Sequence, residues 1–150
     1  MRIREYRPTD WERIADIHDR ARKAELALAG LEEAFLPLEI AAEREALFEY
    51  PGLFVAEEAG TVVGFTACTE EELAWLYVDP DLFRRGIGRA LTEFVLERYP
   101  SVCSIEALVG NEPARRLYES AGFSLTGIGH GWMPGNEAFR VSVYILERSV

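Results

Sequence analysis

The stretch Leu76-Tyr-Val-Asp-Pro-Asp-Leu-Phe-Arg-Arg-Gly-Ile-Gly-Arg-Ala-Leu91 constrains the fold more than any other part of the chain. It reads as a strand, a loop with glycines at i and i+2, and the first turn of a helix. Glycine lets the backbone turn so that successive N–H groups face one concavity. The helix start adds its own unpaired N–H groups and the positive end of its dipole. Arg84, Arg85 and Arg89 bring charge to the same place. A seat for phosphate oxygens is one expectation, and a tight turn without a ligand is the other.

Around this unit the hydrophobic period alternates between strand and helix. Residues 2–7 read as a strand closed by Pro8-Thr9-Asp10, which caps a helix with Trp11, Ile14, Ala15, Ile17 and His18 near one stripe. Ala24 to Pro37 reads as a connection, and a second helix runs from Pro37 to Tyr50. Leu53–Glu57 and Thr61–Cys68 form a hairpin about Glu58-Ala59-Gly60, with Glu72–Val78 as the next strand. A helix over Gly88–Tyr99, a strand over Val102–Val109, a helix over Asn111–Ala121 and a strand over Phe123–Gly129 follow. Gly131 to Asn136 reads as a loop before a last strand, Phe139–Glu147. The order β-αα-βββ-α-β-α-ββ predicts one α/β domain over residues 1–150.

Composition narrows the partners. A chain of 150 residues can bury a core unaided, and a formal charge of −10 argues against nucleic acid and anionic membrane as partners. Cys68 and Cys103 have no metal-ligand spacing to His18 or His130, so no metal site is expected, and free thiols suit a reducing cytoplasm. The N-terminus has no apolar signal region, and no apolar run is long enough for a membrane span. A cytoplasmic protein, monomer or homodimer, is the expectation.

Better-known phosphate binders do not fit the glycine loop. A P-loop needs a Gly-Lys pair, and Lys23 is the only lysine; a dinucleotide fingerprint needs a third glycine where Leu91 stands. No G-x-S-x-G, Cys–His dyad or metal-ligand cluster is present. A second constellation, Asn111 to Phe123, has Asn111 as N-cap and Ala114, Leu117, Tyr118 and Ala121 on one stripe. Gly122 follows as the residue that ends the helix. By spacing Tyr118 is a core tyrosine; its phenol is also a candidate general acid.

Together these stretches resemble the GCN5-related N-acetyltransferase (GNAT) superfamily. Val78-Asp79-Pro80 followed by Arg85-Gly86-Ile87-Gly88-Arg89-Ala90-Leu91 is similar to its pyrophosphate-binding motif. Asn111, Ala114, Leu117-Tyr118 and Gly122-Phe123 are similar to its N-x-x-A-x-x-L-Y-x-x-x-G-F pattern, and Ile3 to Asp10 to its usual opening. Phe83 departs from the Gln or Arg that usually opens the family loop.

The resemblance implies a twisted, mostly antiparallel sheet of about seven strands, with strands 4 and 5 splayed and about four flanking helices. It implies acetyl-CoA as co-substrate, its pantetheine arm on the backbone of Leu76, Tyr77 and Val78 and its pyrophosphate on Arg84, Arg85, Gly86, Ile87, Gly88 and Arg89. Asn111 and Ala114 complete that side. An amine would attack the thioester directly, with Tyr118 as general acid and Glu106 or Glu72 as base. Small-molecule and peptide amines are both open as acceptors. Residues 24–37, with Glu25, Glu32 and Glu33, and residues 128–137, with His130, Trp132, Met133 and Asn136, would frame the acceptor. A non-catalytic acyl-CoA sensor of the same fold is the alternative.

Overall fold

The computed structural model describes residues 1–150. Its centre is a seven-stranded sheet: β1 (Arg2–Glu5), β2 (Gly52–Glu58), β3 (Thr61–Cys68), β4 (Glu72–Val78), β5 (Ser104–Leu108), β6 (Ser124–Met133) and β7 (Asn136–Glu147). The spatial order is β1-β2-β3-β4-β5-β7-β6. Every neighbouring pair is antiparallel except β4 and β5, which run parallel. That parallel pair holds only at Glu72–Ser104 and Leu73–Ile105. Beyond Leu73 the two strands diverge, as the resemblance implied, and the β5-facing backbone of β4 is left free.

Four α-helices cover the sheet: α1 (Trp11–Ala29), α2 (Leu38–Arg44), α3 (Ile87–Arg98) and α4 (Glu112–Ser120). Successive side chains of a strand point to opposite faces, so Phe54 and Val55 enter different cores. On one face Ile14, Ile17 and Leu38 from α1 and α2 pack on Val55, Phe65 and Trp75. On the other, Val95 from α3 and Tyr118 from α4 join Phe54, Ile105, Phe123 and Leu146. Each large side chain so enclosed contributes about 1.5–3 kcal/mol. No helix is long and apolar enough to cross a membrane.

Three expected boundaries are corrected. Residues 24–29, expected as a connection, continue α1, because nothing between Ala24 and Ala29 breaks a helix. The stop is Gly30, at φ +69°, whose N–H reaches the carbonyls of Leu26 and Ala27. The second helix ends at Arg44 rather than Tyr50, and Ala46 at φ +53° turns the chain into a short 3-10 turn over Leu47–Glu49. Residues 131–136, expected as a loop, are mostly paired: Gly131 opposes Val141 and Trp132 opposes Arg140. Pro134 and Gly135 alone separate β6 from β7.

Candidate active site

The free backbone of β4 leads into the glycine loop. Asp79 fixes the start of that loop: its carboxylate accepts from the Asp81 N–H at 3.0 Å and pairs with Arg13 and Arg20 of α1, both at 3.1 Å. Burial opposes its ionisation, but these donors hold its carboxyl below the usual range. The chain then turns through Arg84 at φ +68° and Gly86 at φ +82° into α3. None of the N–H groups from Arg84 to Arg89 is used by a protein acceptor. Gly88 lets α3 approach α4, since a Cβ there would lie 3.3 Å from Leu117.

This row of donors forms one wall of a cavity of about 420 Å³. Leu76, Tyr77 and Val78 form a second wall; Asn111, Ala114 and Tyr118 of the α4 unit form a third. Arg84, Gly86, Ile87, Gly88 and Arg89 line it too, while Arg85 is exposed and does not. Phe83, half-exposed, contributes an aromatic edge where the family pattern has a polar side chain. Asn111 caps α4 through the Ala114 N–H at 3.3 Å and donates to Glu25 Oε2 at 3.2 Å.

On the other side of the β4–β5 splay lies a smaller cavity of about 170 Å³. Its polar lining comes from His18, Arg22 and Glu25 of α1, Glu45 after α2, and Glu106 of β5, with Trp75 as an aromatic wall. Only Glu25, Leu76, Tyr77 and Tyr118 line both cavities. Tyr118 is buried, and its phenol is pushed above its ordinary range by that burial and by the charge of Glu25. Tyr77 is shifted the same way for the same reasons, burial first. Glu25 accepts from Arg22 at 2.5 Å and from the Tyr77 hydroxyl at 3.4 Å.

Two further groups shape the smaller cavity. Burial pushes the Glu45 carboxyl up to about 7; Arg22 works against the shift and Glu137 adds to it. His18 is lowered by burial despite Asp19, whose Oδ1 lies 2.9 Å from Nδ1. The same Oδ1 accepts from the Leu38 N–H at 2.9 Å, which orients the pair. His18 therefore faces the cavity as a neutral imidazole against Trp75 and Tyr77.

The other expected residues lie apart. Glu72 sits in the paired part of β4 and lines neither cavity; burial, then Glu106, raises its carboxyl. Glu106 is exposed and lines the smaller cavity. Glu32 and Glu33 are exposed on a 3-10 turn, carried past both cavities by the longer α1. His130 and Trp132 are held outward by β6–β7 pairing, His130 against the Ser142 hydroxyl at 2.7 Å and Trp132 under Arg140. From the same hairpin Met133 and Asn136 do line the smaller cavity. Arg22 and Glu45 are absent from the expectations drawn from sequence, and Glu25 enters them within the 24–37 connection that the resemblance sets beside the acceptor, not as a residue of α1. A signal exists: His18, Arg22 and Glu25 fall at i, i+4, i+7 beside the buried stripe of Ile14, Ile17 and Ala21.

Comparisons with known proteins agree with this geometry. The model of a family described as an acetyltransferase (GNAT) domain matches residues 49–125. The peptidyl-lysine N-acetyltransferase YiaC of Escherichia coli is 36% identical over 83 residues, which is 55% of this chain and 56% of that protein. The chain thus spans little more than half of YiaC's length. The peptidyl-lysine N-acetyltransferase YjaB of Salmonella typhimurium is 31% identical over 119 residues, 78% of this chain and 74% of YjaB. Among solved structures, a GCN5-related N-acetyltransferase from Rhodopseudomonas palustris shares the fold, with a TM-score of 0.79. It is 20% identical, and the match covers 99% of this chain and 95% of that one. The family match takes in the larger cavity's loop and α4 but stops short of His18, Arg22, Glu25 and Glu45.

Proposed function

This chain belongs to the GNAT acetyltransferase family, and we propose that it transfers the acetyl group of acetyl-CoA to a primary amine by direct attack. The observation that carries this reading is the meeting of two unlike cavities at one seam. The larger offers unpaired N–H groups and Arg84 and Arg89 to an anion; the smaller offers carboxylates to a cation.

Acetyl-CoA supplies an activated thioester carbonyl. The N–H groups from Arg84 to Arg89 hold the pyrophosphate, and the free edge of Leu76–Val78 pairs with the pantetheine amides. Backbone N–H groups of the same edge polarise the carbonyl as an oxyanion hole does. Tyr118, kept protonated by its surroundings, donates a hydrogen bond and then a proton to the departing sulfur.

The acceptor enters the smaller cavity, drawn by Glu106 and Glu45. Its size suits a slim aliphatic amine better than a bulky one. Relatives named peptidyl-lysine N-acetyltransferases direct attention to lysine side chains, which have that shape. The test is thiol release from acetyl-CoA over a panel of lysine peptides and small amines, with mass detection of the product. Acetylated product supports the reading. Tight coenzyme A binding without thiol release from any amine overturns it in favour of the sensor alternative.

A further inference from the structure

We propose that Glu25 is the base that takes the proton from the attacking amine. The inference rests on the acetyl-transfer reading and goes beyond it, replacing Glu72 and Glu106 in that role. A base must reach the nitrogen while the nitrogen reaches the thioester. Glu25 is the one carboxylate that lines both cavities, and it shares the seam with Tyr118 and the free edge of β4. Glu106 lines only the acceptor side and Glu72 neither side.

The groups facing Glu25 come from every element around the seam. Arg22 of its own helix, Tyr77 of β4 and Asn111 of the α4 unit donate to it. Glu45, Glu106 and the neutral His18 face it across the acceptor cavity, and Tyr118 across the seam. Three fixed donors orient the carboxylate and leave lone-pair capacity for an ammonium, since a carboxylate has about four acceptor sites.

The proton balance closes. The ammonium nitrogen loses one proton to Glu25, and the freed lone pair forms the C–N bond to the thioester carbonyl carbon. The C–S bond breaks with its electron pair on sulfur, and sulfur takes the Tyr118 proton. The second proton lost by nitrogen restores Tyr118, and Glu25 releases its own to water, one proton per acetyl group transferred. The first transfer also prepares the last, because Glu25 raises the Tyr118 phenol only while it is charged. Once protonated, it leaves Tyr118 a stronger acid as the thiolate departs.

The test compares Glu25→Gln with the parent on a lysine peptide and on an alkoxyamine, whose nitrogen is already neutral near pH 7. We expect kcat/KM on the peptide to fall about 100-fold or more, with loss of the ascending, acidic limb of its pH profile. On the alkoxyamine the loss stays within about five-fold, because no base is needed. Equal losses on both acceptors, or no loss on the peptide, overturn the role of Glu25. Transfer by the parent to neither acceptor, with coenzyme A still bound, overturns acetyl transfer itself and the base with it. If Glu25→Gln does not fold, Glu25→Asp keeps the charge at a shorter reach. Its loss must then be larger on the peptide than on the alkoxyamine, and the reverse order overturns the proposal.

Discussion

The two cavities that meet at Tyr118 are built in opposite ways. The larger is made mostly by two stretches of chain, 76–89 and 111–118, closed by Ala21, Ala24, Glu25 and Leu28 of α1, and much of its donor surface is backbone. The smaller is made by side chains from α1, α2 and its end, β4, β5, β7 and the β6–β7 turn; three carboxylates dominate its polar lining, with Arg22 paired to Glu25. Backbone donors depend on conformation, so a few glycines and one cap secure them. Side-chain acceptors depend on which residues distant segments bring together, and each is set separately. A coenzyme-binding wall can thus persist while the facing cavity is rebuilt for another acceptor.

Tyr118→Phe tests the seam itself and, Glu25→Gln aside, carries the largest expected effect. Turnover falls about 100-fold, while the coenzyme A dissociation constant, measured by calorimetry, changes less than about three-fold. A variant that turns over at the parental rate would remove Tyr118 from the chemistry.

Glu45→Gln probes what the carboxylate cavity costs the fold. A carboxyl raised from 4.5 to about 7 in the folded state binds more protons folded than unfolded. Its penalty is therefore absent at low pH, grows as pH rises from about 4.5 to about 7, and is constant above. The variant should match the parent near pH 4 and exceed it near pH 8 by as much as about 3 kcal/mol, read from urea midpoints. Equal stability at both pH values would show that Glu45 carries no such strain.

Gly86→Val tests the backbone wall. A Cβ at Gly86 meets no atom, so the cost is conformational, from forcing a β-branched residue to φ +82°. About 1–2 kcal/mol of strain is expected, seen as roughly ten-fold weaker coenzyme A binding with little change in acceptor KM. The mildest change separates two neighbouring arginines. Arg84→Ala weakens coenzyme A binding about two- to five-fold and flattens its salt dependence, while Arg85→Ala, outside the cavity, stays within about two-fold.

Much of this molecule is legible in its residues. Leu53–Val78 announces a meander through β-branched residues and a Gly60 turn, and Asn111 announces a capped helix. The errors share a cause, which is that punctuation read locally was overruled by longer-range partners. Gly131 looked like loop, but its pairing with Val141 extends β6 and turns His130 and Trp132 away from the site. Glu25 looked like an acidic connection, but Ala and Leu neighbours carry α1 past it, and one face of that helix points into the seam.

By itself the sequence determined the order of elements, the glycine loop, the cap at Asn111 and the position of Tyr118 on a buried stripe. These are local properties, written in φ preferences and in periods of two and 3.6 residues. Tertiary structure decided that the splay of β4 and β5 begins after Leu73, and that α1 lays Arg22 and Glu25 across the gap. It also put Glu106, rather than Glu72, within the smaller cavity. Those are relations between segments far apart in the chain, fixed by packing and strand pairing, and no local pattern encodes them.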